Sequence, residues 1–234
     1  MGLGDAPADV LSLSKASVCR LSERFSSNGE DLWADVRGLA AKFGESVPGT
    51  PGWSASWHHL LLAVGNFKRQ GGTRLYPPQL SGLPTTSVPN EVIIPARPGA
   101  ADLVCDGPGA VESWQRLMDG TEGLATATTT TLLAALWPAH HFVFDVRVRN
   151  AANGLRLLAN QAPMDGVVAV SHRSPPTTLL RYEQVREWVL ATASHLDVSV
   201  THVERALYIA DIDTGRVAGR SWTAYAAELA KVVR

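Results

Sequence analysis

Residues 123–148 read GLATATTTTLLAALWPAHHFVFDVRV. A small Gly-Leu-Ala turn leads into threonines and then into LLAAL, an apolar helix that the Trp137-Pro138 pair stops. A short hydrophobic run, Phe142-Val143-Phe144, follows. It delivers a lone acid, Asp145, to the start of a second helical stretch, VRVRNAANGL. Threonine is a mediocre helix former, a few tenths of a kcal/mol worse than alanine. At a helix start it has two uses. Its hydroxyl can cap amides, and its small size lets a ligand approach the backbone. The amides and dipole of such a terminus suit a phosphate without any basic side chain. Read plainly, the same residues are an αα-corner capped by threonine. Asp145, read plainly, is an N-cap, and the helix dipole favours its ionised form. Set among Phe142, Phe144 and Val146, a charged carboxylate also suits one chemistry. It can stabilise a positive sugar in an oxocarbenium-like transition state and orient an attacking water.

Outward from this stretch the pattern is helical. Apolar residues at 10, 11, 13, 18, 21 and 25 predict a helix over Val10 to Phe25. Leu32, Trp33, Val36, Leu39, Ala40 and Phe43 follow the i, i+3, i+4, i+7 spacing of one helix face, which predicts 30–43. Further helices are expected at Trp57 to Phe67, 110–119, 125–136, 146–159, 177–194, 200–210 and 221–233. From Tyr76 to Gly109 the chain is too rich in Pro and Gly for a helix. It reads as a long insert with one short extended piece at EVII. No internal repeat or sustained alternation is present. The expected class is mainly α, a single domain over 1–234 that can divide into two helical lobes, 1–109 and 110–234.

Composition bounds the function. Apolar residues are 45% and charged residues 18% of the chain, which fits a packed globular protein. The net charge of -1 offers no global basic field, so any nucleic-acid face must be built locally. Cys19 and Cys105 match no metal spacing and read as reduced thiols in a cytoplasmic protein. Two cysteines cannot supply the four thiolates of an iron–sulfur cluster. The His140-His141 pair, with only His172 near it in sequence, is weak for a metal. No metal and no cofactor are expected. MGLGDAPADV has no secretory pattern, and Ala6 stands where a myristoylation motif wants Ser or Thr. Apolar runs such as LLLAV (60–64) are too short to span a bilayer. A cytoplasmic monomer without a membrane segment is expected.

Taken together, these residues resemble the helix–hairpin–helix DNA glycosylase superfamily, in particular its short bacterial branch with an 8-oxoguanine-glycosylase-like fold. Gly123-Leu124-Ala125 matches the hairpin that binds the DNA backbone, with Ala in place of the second Gly. Thr128 to Trp137 matches the helix that follows. Phe142-Val143-Phe144-Asp145 matches the approach to the catalytic acid. The match covers about 40 residues, and HVERALYIADIDTG (202–215) resembles the closing helix of the short bacterial members. The resemblance implies a helix–hairpin–helix glycosylase-like helical fold carrying the long Pro/Gly-rich insert. It also implies DNA contacts at Gly123, Ala125, Thr126 and Thr128, with Asp145 as the catalytic group. Bifunctional members place a Schiff-base lysine eighteen or nineteen residues before the acid. Here those positions, 145 − 18 = 127 and 145 − 19 = 126, hold Ala127 and Thr126. Some small members act in phage defence by excising modified bases from phage DNA.

Other residues are weighed on their own chemistry. Trp57 and His58, on a predicted helix leading to Asn66, Phe67, Lys68 and Arg69, are candidates for a base pocket (the first four) and phosphate contacts (Lys68, Arg69). As plainly read, they are core aromatics followed by a solvated basic turn. Arg147 and Arg149 flank the acid and are candidates for phosphate contacts or for neutralising it. His141 and Tyr182 are further candidates for the pocket, although Tyr182, like Trp188, sits at a spacing that also suits a core position. The expected function is that of a monofunctional DNA N-glycosylase, which flips a modified or damaged base from duplex DNA and hydrolyses its N-glycosidic bond to leave an abasic site. A glycosylated hydroxymethyl-pyrimidine of phage type is the preferred substrate. The alternative is a non-catalytic helix–hairpin–helix DNA-binding protein in which Asp145 is only a cap.

Overall fold

A computed structural model describes residues 13–25, 30–47, 50–68, 103–120, 124–164, 170, 178–215 and 221–234. Among them are nine helices and no strand: α1 (Lys15–Glu23), α2 (Glu30–Glu45), α3 (Pro51–Lys68), α4 (Ala110–Gly120), α5 (Thr126–Leu136), α6 (Val146–Leu158), α7 (Leu179–Leu196), α8 (Val200–Thr214) and α9 (Trp222–Val233). Each predicted helix is present, and the mainly α class holds. The largest boundary difference is in α3, which starts at Pro51 and not at Trp57. Pro51 takes the first helical position, where its missing N–H costs nothing. Thr50 caps it, its Oγ1 accepting from the Trp53 amide at 3.2 Å. The extended piece expected at EVII lies outside the described residues.

The chain separates into two compact units, Met1–Ser26 with Phe142–Arg234, and Ser27–His141. The boundary therefore falls after His141, not at the expected 109/110, and the N-terminal segment belongs with the C-terminal part. The reason is helix pairing. α1 packs on α8, whereas α4 joins α2 and α3 around α5.

In the unit formed by Ser27–His141, α5 is the central element. Thr128 through Ala135 are all buried, the signature of a helix covered on every side. Trp53, Trp57, Leu60, Leu61, Val64, Leu117, Leu124 and Leu132 make the apolar core around it. The other unit is built on α8, which α1, α6, α7 and α9 all contact.

α6 and α9 approach closely at Gly154. A Cβ placed there would lie 2.7 Å from Tyr225 Cε1 and 2.7 Å from Leu229 Cδ2. Leu229 can rotate away, but the Tyr225 ring cannot move freely. It stacks edge-on against Trp222 at 5.8 Å, and its hydroxyl donates to buried Asp211 at 2.6 Å. Gly154→Ala should gain about 1 kcal/mol of helix propensity. It should lose more than that to overpacking, for a net destabilisation of about 1–2 kcal/mol. Chemical denaturation of the variant measures the balance, and a rise in stability would show that α6 and α9 can part without cost.

Candidate functional site

Asp145 stands where an extended chain turns into α6. Its backbone is extended (φ -109°, ψ 155°), and its side chain accepts from the Arg147 amide at 2.9 Å. That bond is the ordinary use of an N-cap carboxylate, and it fixes the direction of the carboxyl group. The Arg147 guanidinium approaches the same oxygen at 3.6 Å, and the Asp145 side chain keeps 31% of its exposure. An oriented carboxylate thus remains open to a ligand.

The segment that leads into it forms part of a buried aromatic shelf. The Phe142 and Phe144 rings stand 6.2 Å apart, and each packs on Tyr182, at 5.4 and 5.5 Å. The three are at most 6% exposed. Burial pushes the Tyr182 phenol well above its usual range, so the ring stays neutral, and its hydroxyl is hydrogen-bonded to the Phe142 backbone. Alternation explains the geometry. In an extended segment residues 142 and 144 point the same way, so both rings enter the core while Val143 stays only half-buried.

Beside Asp145 the structure assembles a group the sequence reading missed. The Arg147 guanidinium lies 5.0 Å over the ring of Tyr208. Tyr208 meets Phe25 edge-on at 5.4 Å, and Arg205 lies 5.1 Å over Phe25. Arg205 and Tyr208 are three apart on α8, so they share a helix face. Only their presence in the stretch 202–215 pointed to them.

Several expected site residues occupy other roles. Arg149 is 1% exposed, and its Nη2 donates to Asn150 at 3.4 Å. It is a buried arginine, not a surface phosphate contact, because two residues along a helix turn the side chain to the opposite side from Arg147. Tyr182, Trp57, His58 and His141 are core residues, all at most 4% exposed, and do not line an open base pocket. Phe67 is half-buried against Trp33, ring centroids 5.1 Å apart. The side chains of Asn66 and Lys68, and all of Arg69, lie outside the described residues, as does Gly123.

At the start of α5 the threonines bond to their own helix. Thr128 Oγ1 accepts from the Ala125 amide at 2.8 Å and donates to the Ala125 carbonyl at 2.9 Å. Thr130 and Thr131 each donate to the Ala127 carbonyl, at 3.1 and 2.7 Å. Bonding back to the preceding turn lets a hydroxyl be buried. Thr128 is only 2% exposed and so is not an open phosphate contact, as had been expected. What remains accessible is smaller. Ala125 and Ala127 are exposed and Thr126 is half-buried. The N-cap is Ala125, which offers no side-chain acceptor to the first amides. The exposure of Ala127 also means that a lysine introduced there would stay solvated, without the lowered pKa of a buried amine.

No protein-family model, curated protein or solved structure matches this chain. Among the described residues, no helix is long and apolar enough to cross a membrane.

Proposed function

We propose that this chain is a monofunctional DNA N-glycosylase acting on duplex DNA that carries a modified base, with Asp145 as its catalytic group. The seating of Asp145 is the observation that supports the reading. Asp145 follows directly on the segment that carries buried Phe142 and Phe144, its side chain keeps 31% of its exposure, and a guanidinium stands 3.6 Å from it. In the proposed reaction the extruded base leaves with the electron pair of the N-glycosidic bond. The carboxylate stabilises the positive charge that develops on the sugar. It then directs a water to the anomeric carbon and accepts its proton, which passes on to the departed base, so the products are a free base and an abasic site. Neither Ala127 nor Thr126 can form a Schiff base, so the strand should stay intact until alkali or heat cuts it.

The resemblance to the phage-directed branch favours a bulky modified pyrimidine, such as a glycosylated hydroxymethylcytosine, as the substrate. Duplexes carrying different base modifications, incubated with the protein and assayed for alkali-labile sites, test the proposal. Release from none of them, together with retained DNA binding, would favour the non-catalytic alternative. Arg147 and Arg205 are the phosphate contacts this reading selects, in place of Arg149.

The α5 terminus is the second proposed DNA contact, through backbone amides. Ala125→Asp separates its two roles. A carboxylate at an N-cap should stabilise the helix by about 0.5–2 kcal/mol, while its charge should repel a phosphate. The expected result is a higher Tm with DNA affinity reduced at least about tenfold, a loss of about 1.4 kcal/mol. Undiminished binding by this variant would place the phosphate contacts elsewhere. Backbone contacts also release few counterions, so the salt dependence of binding should be shallow.

A further inference from the structure

The unit Ser27–His141 holds a cluster unrelated to the acid site. The donor atoms of Cys105, Asp106 and His140 all lie within 4.8 Å of one another. His140 Nδ1 and Asp106 Oδ2 are 3.3 Å apart. The residues come from two segments, the turn that precedes α4 and the turn that follows α5. Both segments are fastened from behind. Trp114 Nε1 donates to the Val104 carbonyl at 2.8 Å, and the Val104 amide reaches Ser113 Oγ at 3.4 Å. His141 Nε2–H donates to the Cys105 carbonyl at 2.7 Å, with its ring set edge-on to Trp114 at 5.0 Å. Buried His141 thus ties the cysteine's own backbone to the residue next to His140.

From this arrangement we infer a divalent transition-metal site of the zinc class, with Cys105 Sγ, the Asp106 carboxylate and His140 Nδ1 as its ligands. The donor set argues for the class. A thiolate with an imidazole selects zinc or cobalt over the oxygen-seeking magnesium and calcium. The geometry agrees. Two ligands each about 2.1 Å from a tetrahedral ion stand about 3.4 Å apart, close to the His140–Asp106 spacing of 3.3 Å. The cysteine must move by less than the length of a side chain to complete the trio. About half of each of the His140 and Asp106 side chains is exposed, so water completes the coordination. The ion would clasp the end of the long insert to the segment that leaves α5. The fastening hydrogen bonds are the backbone support such a clasp needs to hold its ligands in place.

Cobalt(II) titration of the full chain reports on each ligand. The expected result is one cobalt bound per chain, with a thiolate-to-metal charge-transfer band and the intense visible bands of four-coordinate geometry. Cys105→Ser should abolish the charge-transfer band. His140→Ala, a change at an exposed position that leaves the fold intact, should weaken binding by about 100-fold or more. Cys19→Ser should change neither. Added zinc should displace the cobalt and raise the Tm of the native protein but not of His140→Ala. Absence of the band in the native protein would overturn the site and leave an ordinary surface contact between His140 and Asp106. A band that persists in Cys105→Ser would overturn it as well.

Discussion

Asp145→Asn is expected to lower base release by about 10²–10⁴-fold while leaving the protein folded. The separation follows from the two jobs of the side chain. As a cap, Asp145 needs only an oxygen that accepts from the Arg147 amide, and an Asn carbonyl does this as well. The ion pair with Arg147 is partly exposed, 3.6 Å long, and worth little to stability. As the proposed catalyst it needs a negative charge beside the sugar, and Asn has none. Single-turnover assays on the preferred duplex, read beside thermal melts, measure both quantities. Unchanged release from a folded Asn variant would remove Asp145 from the mechanism. Asp145→Ala should show the same loss of activity and an added loss of about 1 kcal/mol of stability, because the cap goes too.

Tyr182→Ala should produce the largest change in stability, a loss of about 3–5 kcal/mol. The ring is fully buried and supports both Phe142 and Phe144, so its removal leaves a cavity beneath the segment that presents Asp145. Tyr182→Phe keeps the ring and loses only a hydroxyl bonded to the Phe142 backbone, which should cost about 1 kcal/mol. The pair distinguishes a supporting ring from a base-stacking one. On the present structure Tyr182→Phe retains nearly full activity, and Tyr182→Ala loses activity in step with stability. A stable Tyr182→Ala variant that selectively fails to bind modified DNA would instead mean that the ring leaves the core to meet the base.

Asp145 and Tyr182 lie in one unit of the chain, and the proposed metal site lies in the other. Asp145, its shelf and the Arg147–Tyr208 contact all belong to the unit formed by Met1–Ser26 and Phe142–Arg234. The α5 terminus and the Cys105–Asp106–His140 cluster belong to the other. The proposed catalytic acid and the proposed metal can therefore be tested by separate variants. His140→Ala removes a proposed metal ligand in one unit and leaves Asp145, in the other, unchanged.

The sequence by itself determined the helices and the capping position of Asp145. Both depend on short-range signals: a period of 3.6 residues, Gly and Pro stops, and a polar side chain placed just before an apolar run. Such signals act within one or two turns and can be read without knowing the partners. They also explain where the reading stopped. Arg147 and Arg149 are alike as residues, and only the packing of α6 on α8 and α9 decides which one the core takes. The threonines of α5 read as caps whose small size leaves the backbone open to a ligand. Thr128, Thr130 and Thr131 satisfy their buried hydroxyls by bonding back to their own helix, and packing on α2, α3 and α4 buries them. Cys105 and His140 stand 140 − 105 = 35 residues apart, beyond any local spacing rule. The Trp114 and His141 hydrogen bonds, which exist only in the folded chain, bring them together.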